Sequence, residues 1–150
     1  MTIRFSQKRI LMALLLLATM VHGATAGEFR VKDYRLASCP DSPNCVCTLG
    51  DSEEHAIAPY RYRKTVDEAK SLLKQVFSER NRTKLVQEEA AYLHYEVRSL
   101  LFRFIDDVEI LFDDASKTIH FRSASRVGYS DFGVNRRRME EVRSLLEDKL

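Results

Sequence analysis

The sequence lacks the patterns by which several protein classes are recognised. It contains no internal repeat and no low-complexity tract, which excludes a repeat array. No serine lies in a G-x-S-x-G pattern, the tight turn that presents the nucleophile in many hydrolases. No spacing of serine, cysteine and histidine singles out a nucleophile with its base. After residue 21, no apolar run is long enough to cross a membrane.

An excess of charge of one sign is also missing. The chain carries 24 basic and 22 acidic residues, a formal net charge of +2. Three of the basic residues, Arg4, Lys8 and Arg9, lie in the first 26 residues, which contain no acidic residue. The rest of the chain is therefore close to neutral. Because nucleic-acid-binding domains usually carry a clustered basic surface, this balance predicts no nucleic-acid partner.

The amino-terminal residues have the three parts of an export signal. The basic start is followed by an apolar run over residues 10–21. Ala24 and Ala26 then supply the small residues that a signal peptidase recognises before its cleavage site. The run is about 12 residues, shorter than the roughly 20 that a membrane-spanning helix needs. We therefore predict a cleaved signal peptide over residues 1–26, with an uncleaved anchor as the alternative. Residues 27–150 would form one domain, periplasmic or secreted, without a transmembrane segment.

Three cysteines, Cys39, Cys45 and Cys47, lie within nine residues of each other. In an exported chain the default expectation is a disulfide. Residues 40–44 include two prolines with aspartate, serine and asparagine, all of which favour turns that bring the chain ends together. This favours a Cys39–Cys45 bridge with Cys47 unpaired, and a Cys39–Cys47 bridge is the alternative.

Two other interpretations of the cysteines are open at this point. Leu36-Ala-Ser-Cys39 has the local form of a lipobox, although charged residues separate it from the apolar run. The three cysteines together with His55 could bind a metal ion, but their spacing does not match the usual zinc patterns. We predict no metal site and no cofactor.

The first helix has a clear start and a clear apolar face. Thr65-Val-Asp-Glu68 has the form of a capping box, in which the threonine and the glutamate each satisfy a backbone N–H of the other. Apolar residues then recur at helical spacing at Ala69, Leu72, Leu73, Val76 and Phe77. We predict an amphipathic helix that ends near residue 80.

Alternation of apolar and polar residues predicts the strands. Residues 55–63 are typical of an edge strand because Pro59 lies within them. Three further alternating sets predict an antiparallel meander: Leu93, Tyr95 and Val97; Val108, Ile110 and Phe112; Ile119, Phe121, Ser123 and Ser125. A last helix carries the stripe Met139, Val142, Leu145 and Leu146. The order predicts a single α+β domain, an antiparallel sheet of about four strands with two helices packed on one face.

Three motifs carry a resemblance to a known family. They are Cys39-Pro-Asp-Ser-Pro-Asn-Cys-Val, Phe104-Ile-Asp-Asp-Val, and Arg122-Ser-Ala-Ser-Arg-Val-Gly-Tyr-Ser-Asp-Phe-Gly-Val-Asn-Arg-Arg-Arg. From about residue 39 to residue 150, the chain resembles the domain-of-unknown-function family 1499. The resemblance implies a small α+β domain, often behind an export signal, and no established reaction, so no catalytic residue can be assigned from it. It also implies that the shared disulfide is Cys39–Cys45 and that Cys47 is an addition where serine is expected.

The third motif predicts a ligand site. On the strand pattern Arg122 and Arg126 share one face with His120, opposite the apolar side, and we expect them to approach the start of the last helix. A helix N-terminus presents unpaired N–H groups, so the addition of Arg136 would complete a carboxylate or phosphate pocket. The candidate ligand-binding residues are Arg122, Ser123, Ser125, Arg126, Asp131, Asn135 and Arg136.

A purely structural role for the same run is the competing interpretation. Asp106, Asp107 and Asp131 would then pair with the arginines, and Asn135 would cap the helix. We predict an exported, non-catalytic binding domain for a small anionic or lipid-like ligand or for an envelope partner. The alternative is an unrecognised hydrolase that uses serine, aspartate and histidine near Arg126. That alternative requires a base within about 3 Å of a serine or cysteine nucleophile.

Overall fold

The computed structural model describes residues 30–31, 34–50 and 52–150. The predicted signal peptide and its cleavage site lie outside these residues. Within them, no helix is both long and apolar enough to cross a membrane.

The described residues form one six-stranded antiparallel sheet, a two-stranded ribbon and two helices. The ribbon is β1 (Arg30–Val31) and β2 (Tyr34–Arg35). The sheet has the order β3-β8-β7-β6-β5, and β4 also pairs with β8, beyond the end of β3. The elements are β3 (Cys45–Cys47), β4 (Tyr60–Arg61), α1 (Val66–Ser78), β5 (Thr83–Glu89), β6 (Tyr92–Arg98), β7 (Ile105–Asp113), β8 (Thr118–Ser125) and α2 (Val134–Leu146).

The α+β prediction is confirmed, but the sheet is larger than the predicted four strands. The two additional strands are β3 and β5, which both lie at edges of the sheet. The strand β5 is mostly exposed, so its sequence has little of the apolar alternation by which a strand is recognised. The strand β3 has only three residues, too few to show a period.

The capping box at the start of α1 is formed as predicted. The Thr65 hydroxyl accepts a hydrogen bond from the Glu68 backbone N–H, and the Glu68 carboxylate accepts one from the Thr65 backbone N–H at 3.0 Å. Four apolar residues of the helix are buried, namely Ala69, Leu73, Val76 and Phe77. The ring of Phe77 stacks on the ring of Tyr95 in β6, with the centroids 4.4 Å apart. This contact fixes α1 on the sheet.

The second helix packs on the same face as α1. Met139, Val142 and Leu146 of α2 belong to one buried apolar cluster with Leu73 of α1 and Ile110 of β7. Leu145, which we expected to belong to the stripe, is instead 48% exposed. Asn135 and Arg138 take the remaining buried positions of α2. The buried stripe of α2 therefore begins with two polar residues, a feature that matters for the site.

The other face of the sheet is polar and is partly covered by the chain before β3. Tyr92 and Leu111 form a small buried cluster with Leu36, and the ring of Tyr34 stacks on that of Tyr92. Beyond this cover, neighbouring strands present charged side chains to each other across the face. We call this surface the open face.

Candidate functional site

A buried ion pair lies under the N-terminal end of α2. Arg138 Nη2 donates to Asp106 Oδ2 at 2.5 Å, and both side chains are 8% exposed. Asp106 lies near the start of β7, and its other carboxylate oxygen accepts from the Ser125 hydroxyl at 2.6 Å. Because a buried carboxylate needs a compensating charge and hydrogen bonds, Arg138 and Ser125 together make the burial of Asp106 tolerable.

The side chain of Asn135 extends this ion pair into a network. Its Oδ1 accepts from the Ser123 hydroxyl and from Arg138 Nη1, both at 2.6 Å. Its Nδ2 donates to the Ser125 hydroxyl and to the Asn44 carbonyl, both at 3.1 Å. Ser123 and Asn135 are both fully buried. All four hydrogen-bonding positions of the amide are therefore occupied by protein groups.

The network also holds the cysteine loop. The Cys39–Cys45 disulfide is present, which confirms the predicted pairing. Inside the loop, the Ser42 hydroxyl donates to Asn44 Oδ1 at 3.0 Å, and Asn44 Nδ2 donates to the Gly128 carbonyl at 2.5 Å. Asn44 thus joins the disulfide loop to the connection between β8 and α2. Since Cys39 and Cys45 are oxidised, they are not thiolate ligands for a metal ion.

Arg122 and Arg126 lie on the open face, which is the side of the sheet away from α2. Arg122 Nη1 pairs with Glu109 Oε2 at 3.1 Å. Arg126 pairs with Asp107 and with Glu96, each at 2.7 Å. We expected both arginines to approach the start of α2, and this expectation is wrong because α2 packs on the opposite face. Their guanidinium groups are neutralised by carboxylates of neighbouring strands.

The carboxylate of Asp107 forms hydrogen bonds with two side chains of this face, His94 and Arg126. Partial burial opposes its ionisation, but hydrogen bonds from Arg126 and from His94 outweigh that effect and hold the pKa of Asp107 below its usual value. Hydrogen bonds to Asp107 and to Glu96 raise the pKa of Arg126. The His94–Asp107–Arg126 row therefore has the properties of a surface ion-pair ladder between strands.

The remaining predicted residues, Arg136 and Asp131, lie at the N-terminal end of α2. Arg136 donates to the carbonyls of Glu54 and Ala56 at 2.8 and 2.9 Å. The Asp131 carboxylate accepts from the backbone N–H groups of Gly133 and Asn135 at 2.9 and 2.7 Å. Asp131, and not Asn135, is the residue that satisfies the first turn of the helix. The three arginines do not form one anion pocket, and anion binding by any of them stays a prediction.

An apolar cleft of about 420 Å³ lies directly above the buried network. One wall is the 99–104 loop between β6 and β7, and the other is the 126–133 loop between β8 and α2. Asp106 and Ser125 of the buried network also line the cleft, and we call these two residues its floor. The apolar lining residues are Leu100, Leu101, Phe102, Phe104, Val127, Phe132 and Val134. The sequence-based interpretation missed this cleft, although the run Leu-Leu-Phe-Arg-Phe at residues 100–104 is its visible signal.

Each of the two loops that line the cleft contains one residue with an uncommon backbone conformation. Arg103 and Phe132 have φ angles of 54° and 55°, in the left-handed region that bulky residues rarely adopt. Phe132 is nevertheless 86% exposed, so its conformation is not compensated by burial of its own ring. Backbone strain that is kept without a packing reason points to a functional loop.

The chain matches one known protein family. A family model described as "Protein of unknown function (DUF1499)" matches residues 35–146. The chain belongs to this family. No curated protein and no solved structure matches the chain. All the elements that build the cleft and the buried network, from the disulfide loop to the end of α2, lie within the matched residues.

For this DUF1499 domain, the contacts of its histidines bear on the hydrolase alternative. His94 Nε2 contacts Asp107 at 2.7 Å, His120 Nδ1 contacts the Thr48 hydroxyl at 3.2 Å, and His55 Nδ1 contacts the Cys45 carbonyl at 3.1 Å. In the part of the chain that the structure describes, no hydrogen bond joins a serine hydroxyl or a cysteine thiol to an imidazole. The contact that the hydrolase alternative requires is therefore not among those observed.

Cys47 is a buried thiol on the open face, 2% exposed. Desolvation by burial raises the pKa of its thiol, which disfavours the reactive thiolate. In the native protein, without reductant, we expect no thiol to react with Ellman's reagent. After unfolding, we expect one thiol per chain to react. Rapid labelling of the native protein would contradict the burial of Cys47. More than one thiol after unfolding would contradict the Cys39–Cys45 bridge.

Proposed function

We propose that this DUF1499 chain is an exported, non-catalytic binding domain whose cleft takes the apolar chain of a lipid-like ligand. The observation that carries the proposal is the cleft itself, in which apolar and aromatic side chains of two loops surround a space of about 420 Å³. Ligand pockets of this size are typically apolar with a few polar groups that orient the ligand.

The floor of the cleft supports binding of an uncharged group rather than of an anion. Asp106 is neutralised by Arg138, and the Ser125 hydroxyl already donates to Asp106. The floor therefore carries no net positive charge, and Asp131 adds a carboxylate to the lining of the cleft. A charged head group of the ligand would remain at the mouth of the cleft, while its apolar chain would contact the aromatic walls.

The structure supports a lipid-like ligand better than a small anion. Each of Arg122, Arg126 and Arg136 is engaged by a carboxylate or by carbonyl groups, and Asp131 occupies the N–H groups at the start of α2. An anion at any of these positions would have to displace an existing partner. For binding of an envelope partner, the same exposed loops are the available surface.

Export is part of the proposal and has two supports. The first is the sequence of residues 1–26, and the second is the Cys39–Cys45 disulfide, which is stable in an oxidising compartment. Intact-mass analysis of the protein from its native host should give a chain that begins at Gly27.

A fluorescent fatty acid tests the proposed function. We expect dansyl-undecanoic acid to bind the purified protein saturably, at one site, and the double variant Val127→Gln/Val134→Gln to weaken that binding by about tenfold or more. Both valines line the cleft and are more than 40% exposed, so the change removes apolar contact with the ligand and little core packing.

The matched control is Leu145→Gln, which changes a half-exposed apolar residue of α2 outside the cleft. We expect this variant to bind the probe as the original protein does, and all variants to unfold at similar temperatures. Equal affinity of the cleft variant and the original protein would refute the proposal, as would equal losses in the cleft and control variants.

A further inference from the structure

We propose that the end of the domain that carries the cleft docks on the surface of a lipid bilayer with anionic head groups. The inference rests on the proposed function in one respect, because it identifies the bilayer as the source of the lipid-like ligand. The docking surface is argued from the exposure of apolar side chains of the two loops, four of which also line the cleft, and from basic side chains beside them that have no acidic partner.

The apolar part consists of the five most exposed large apolar side chains of the described residues, which we call the apolar tips. They are Leu100, Leu101, Phe102, Tyr129 and Phe132, and each is between 71% and 86% exposed. They come from two loops at one end of the sheet, where β6 and β8 end and β7 and α2 begin. Exposed apolar groups concentrated in this way mark a surface that another phase or molecule covers.

The two loops hold the tips in place rather than leaving them to collapse onto the domain. In the first, Ser99 and Phe104 exchange hydrogen bonds at 2.9 Å, and the rings of Phe102 and Phe104 stack with centroids 5.5 Å apart. In the second, the Phe132 backbone N–H donates to the Ser130 hydroxyl at 3.2 Å. The tips are therefore presented by closed turns, so their insertion would not require ordering of a loose segment.

A basic groove borders the tips. Arg82, Lys84, Arg98 and Arg103 line a groove of about 290 Å³ that shares Ser99 and Leu100 with the apolar cleft. Among the described residues, Arg82, Lys84 and Arg103 have no acidic group within ion-pair distance. Arg98 has Glu96 at 3.8 Å, but that carboxylate is already shared with Arg126 at 2.7 Å. The groove therefore carries a local excess of positive charge.

Apolar tips next to unpaired cations match the chemistry of a bilayer surface. Leucine and aromatic side chains enter the boundary of the acyl chains, while arginine and lysine remain at the level of the phosphate groups. A second copy of the chain is a poor occupant, since a self-complementary contact here would bring like charges together. Complementarity of charge thus favours an anionic bilayer.

Vesicle co-sedimentation tests the inference. We expect the purified protein to bind vesicles of phosphatidylcholine with phosphatidylglycerol, to bind pure phosphatidylcholine vesicles more weakly, and to lose affinity as salt rises. Leu101→Gln/Phe132→Gln should reduce the partition coefficient by about tenfold or more. Lys84→Gln/Arg103→Gln should reduce it by about fivefold for each charge removed, and only with anionic vesicles.

The control variants are Leu145→Gln for the tips and Lys149→Gln for the basic groove. Both residues are exposed, and both lie near the opposite end of α2. We expect each to bind vesicles as the original protein does. Comparison within this set also removes any contribution of residues 1–26, because all variants carry the same N-terminus.

Several results would overturn the docking surface. One is that the tip variants bind vesicles as well as the original protein does. Another is that the control variants lose as much vesicle affinity as the tip variants. A third is that the original protein does not bind vesicles. A stable dimer that the tip variants dissociate would assign the surface to a second copy instead. Loss of affinity for anionic vesicles in Lys84→Gln/Arg103→Gln with intact binding of dansyl-undecanoic acid supports docking, because neither residue lines the cleft. A protein that binds vesicles through the tips but never binds the fatty acid would refute the proposed function alone.

Discussion

Replacement of Arg138 by methionine lowers the free energy of unfolding by about 3–5 kcal/mol. The reason is that Asp106 then keeps a buried negative charge without its cation, and Asn135 Oδ1 loses one of its two donors. Methionine is long enough to fill much of the space, so the loss reports the missing charge more than a cavity.

Arg126→Met is the matched control for Arg138→Met, and urea unfolding of both is the measurement. Arg126 is 40% exposed and pairs with acids on the open face, so we expect its loss to cost less than about 1 kcal/mol. The double variant Asp106→Leu/Arg138→Met should recover much of the stability, since it removes both charges. Equal losses at Arg126 and Arg138 would contradict the structure, as would a stable Arg138→Met protein.

Asn135→Ala lowers the free energy of unfolding by about 3 kcal/mol. The amide joins Ser123 and Arg138 on one side to Ser125 and the Asn44 carbonyl on the other. Its removal leaves several of these buried groups without a partner, and each unsatisfied group costs about 1–3 kcal/mol unless water enters. Because Asn135 anchors the disulfide loop, local opening of that loop should accompany the loss.

A graded series checks this assignment by thermal and urea unfolding. We expect Ser123→Ala, which removes one hydroxyl of the network, to cost about 1 kcal/mol, and the exposed substitution Gln87→Ala to cost almost nothing. A reversed order, with Asn135→Ala milder than Ser123→Ala, would contradict the central place of the amide. An unchanged stability together with lost binding of the fatty acid would make Asn135 a ligand-binding residue, as the sequence first indicated.

Much of the fold could be predicted because its signals are local. The capping box fixed the start of α1, and period-two alternation identified β6, β7 and β8. The Pro- and Asp-rich loop between Cys39 and Cys45 favoured the bridge that the structure contains. The edge strands β3 and β5 escaped prediction, because β5 is exposed and has no need of an apolar face and β3 has only three residues.

The candidate site was predicted less well because side-chain partners depend on tertiary contacts. Alternation along β8 showed that Arg122 and Arg126 share a face, but it did not show which face α2 covers. The helical period of α2 also indicates which of its polar residues are buried. Asn135, Arg138, Met139 and Val142 recur at helical spacing, which would have indicated that Arg138 lies on the buried side and Arg136 does not.

The cleft escaped prediction for a different reason. Residues 99–104 and 126–133 lie in connections, where no periodicity relates a side chain to the core or to solvent. Apolar residues at such positions are ordinarily assigned to the neighbouring strands. Only the three-dimensional arrangement shows that the two loops meet above Asp106 and Ser125.

We propose that binding occurs in the apolar cleft while the buried polar network and the open face serve the fold. An amide NMR titration of the isotopically labelled protein with dodecanoate tests it most directly, because it locates the ligand without a substitution. We predict that shift changes concentrate in residues 99–106 and 125–134. Changes centred on Glu109, Arg122 and Arg126 of the open face, or no saturable change at all, would contradict the account.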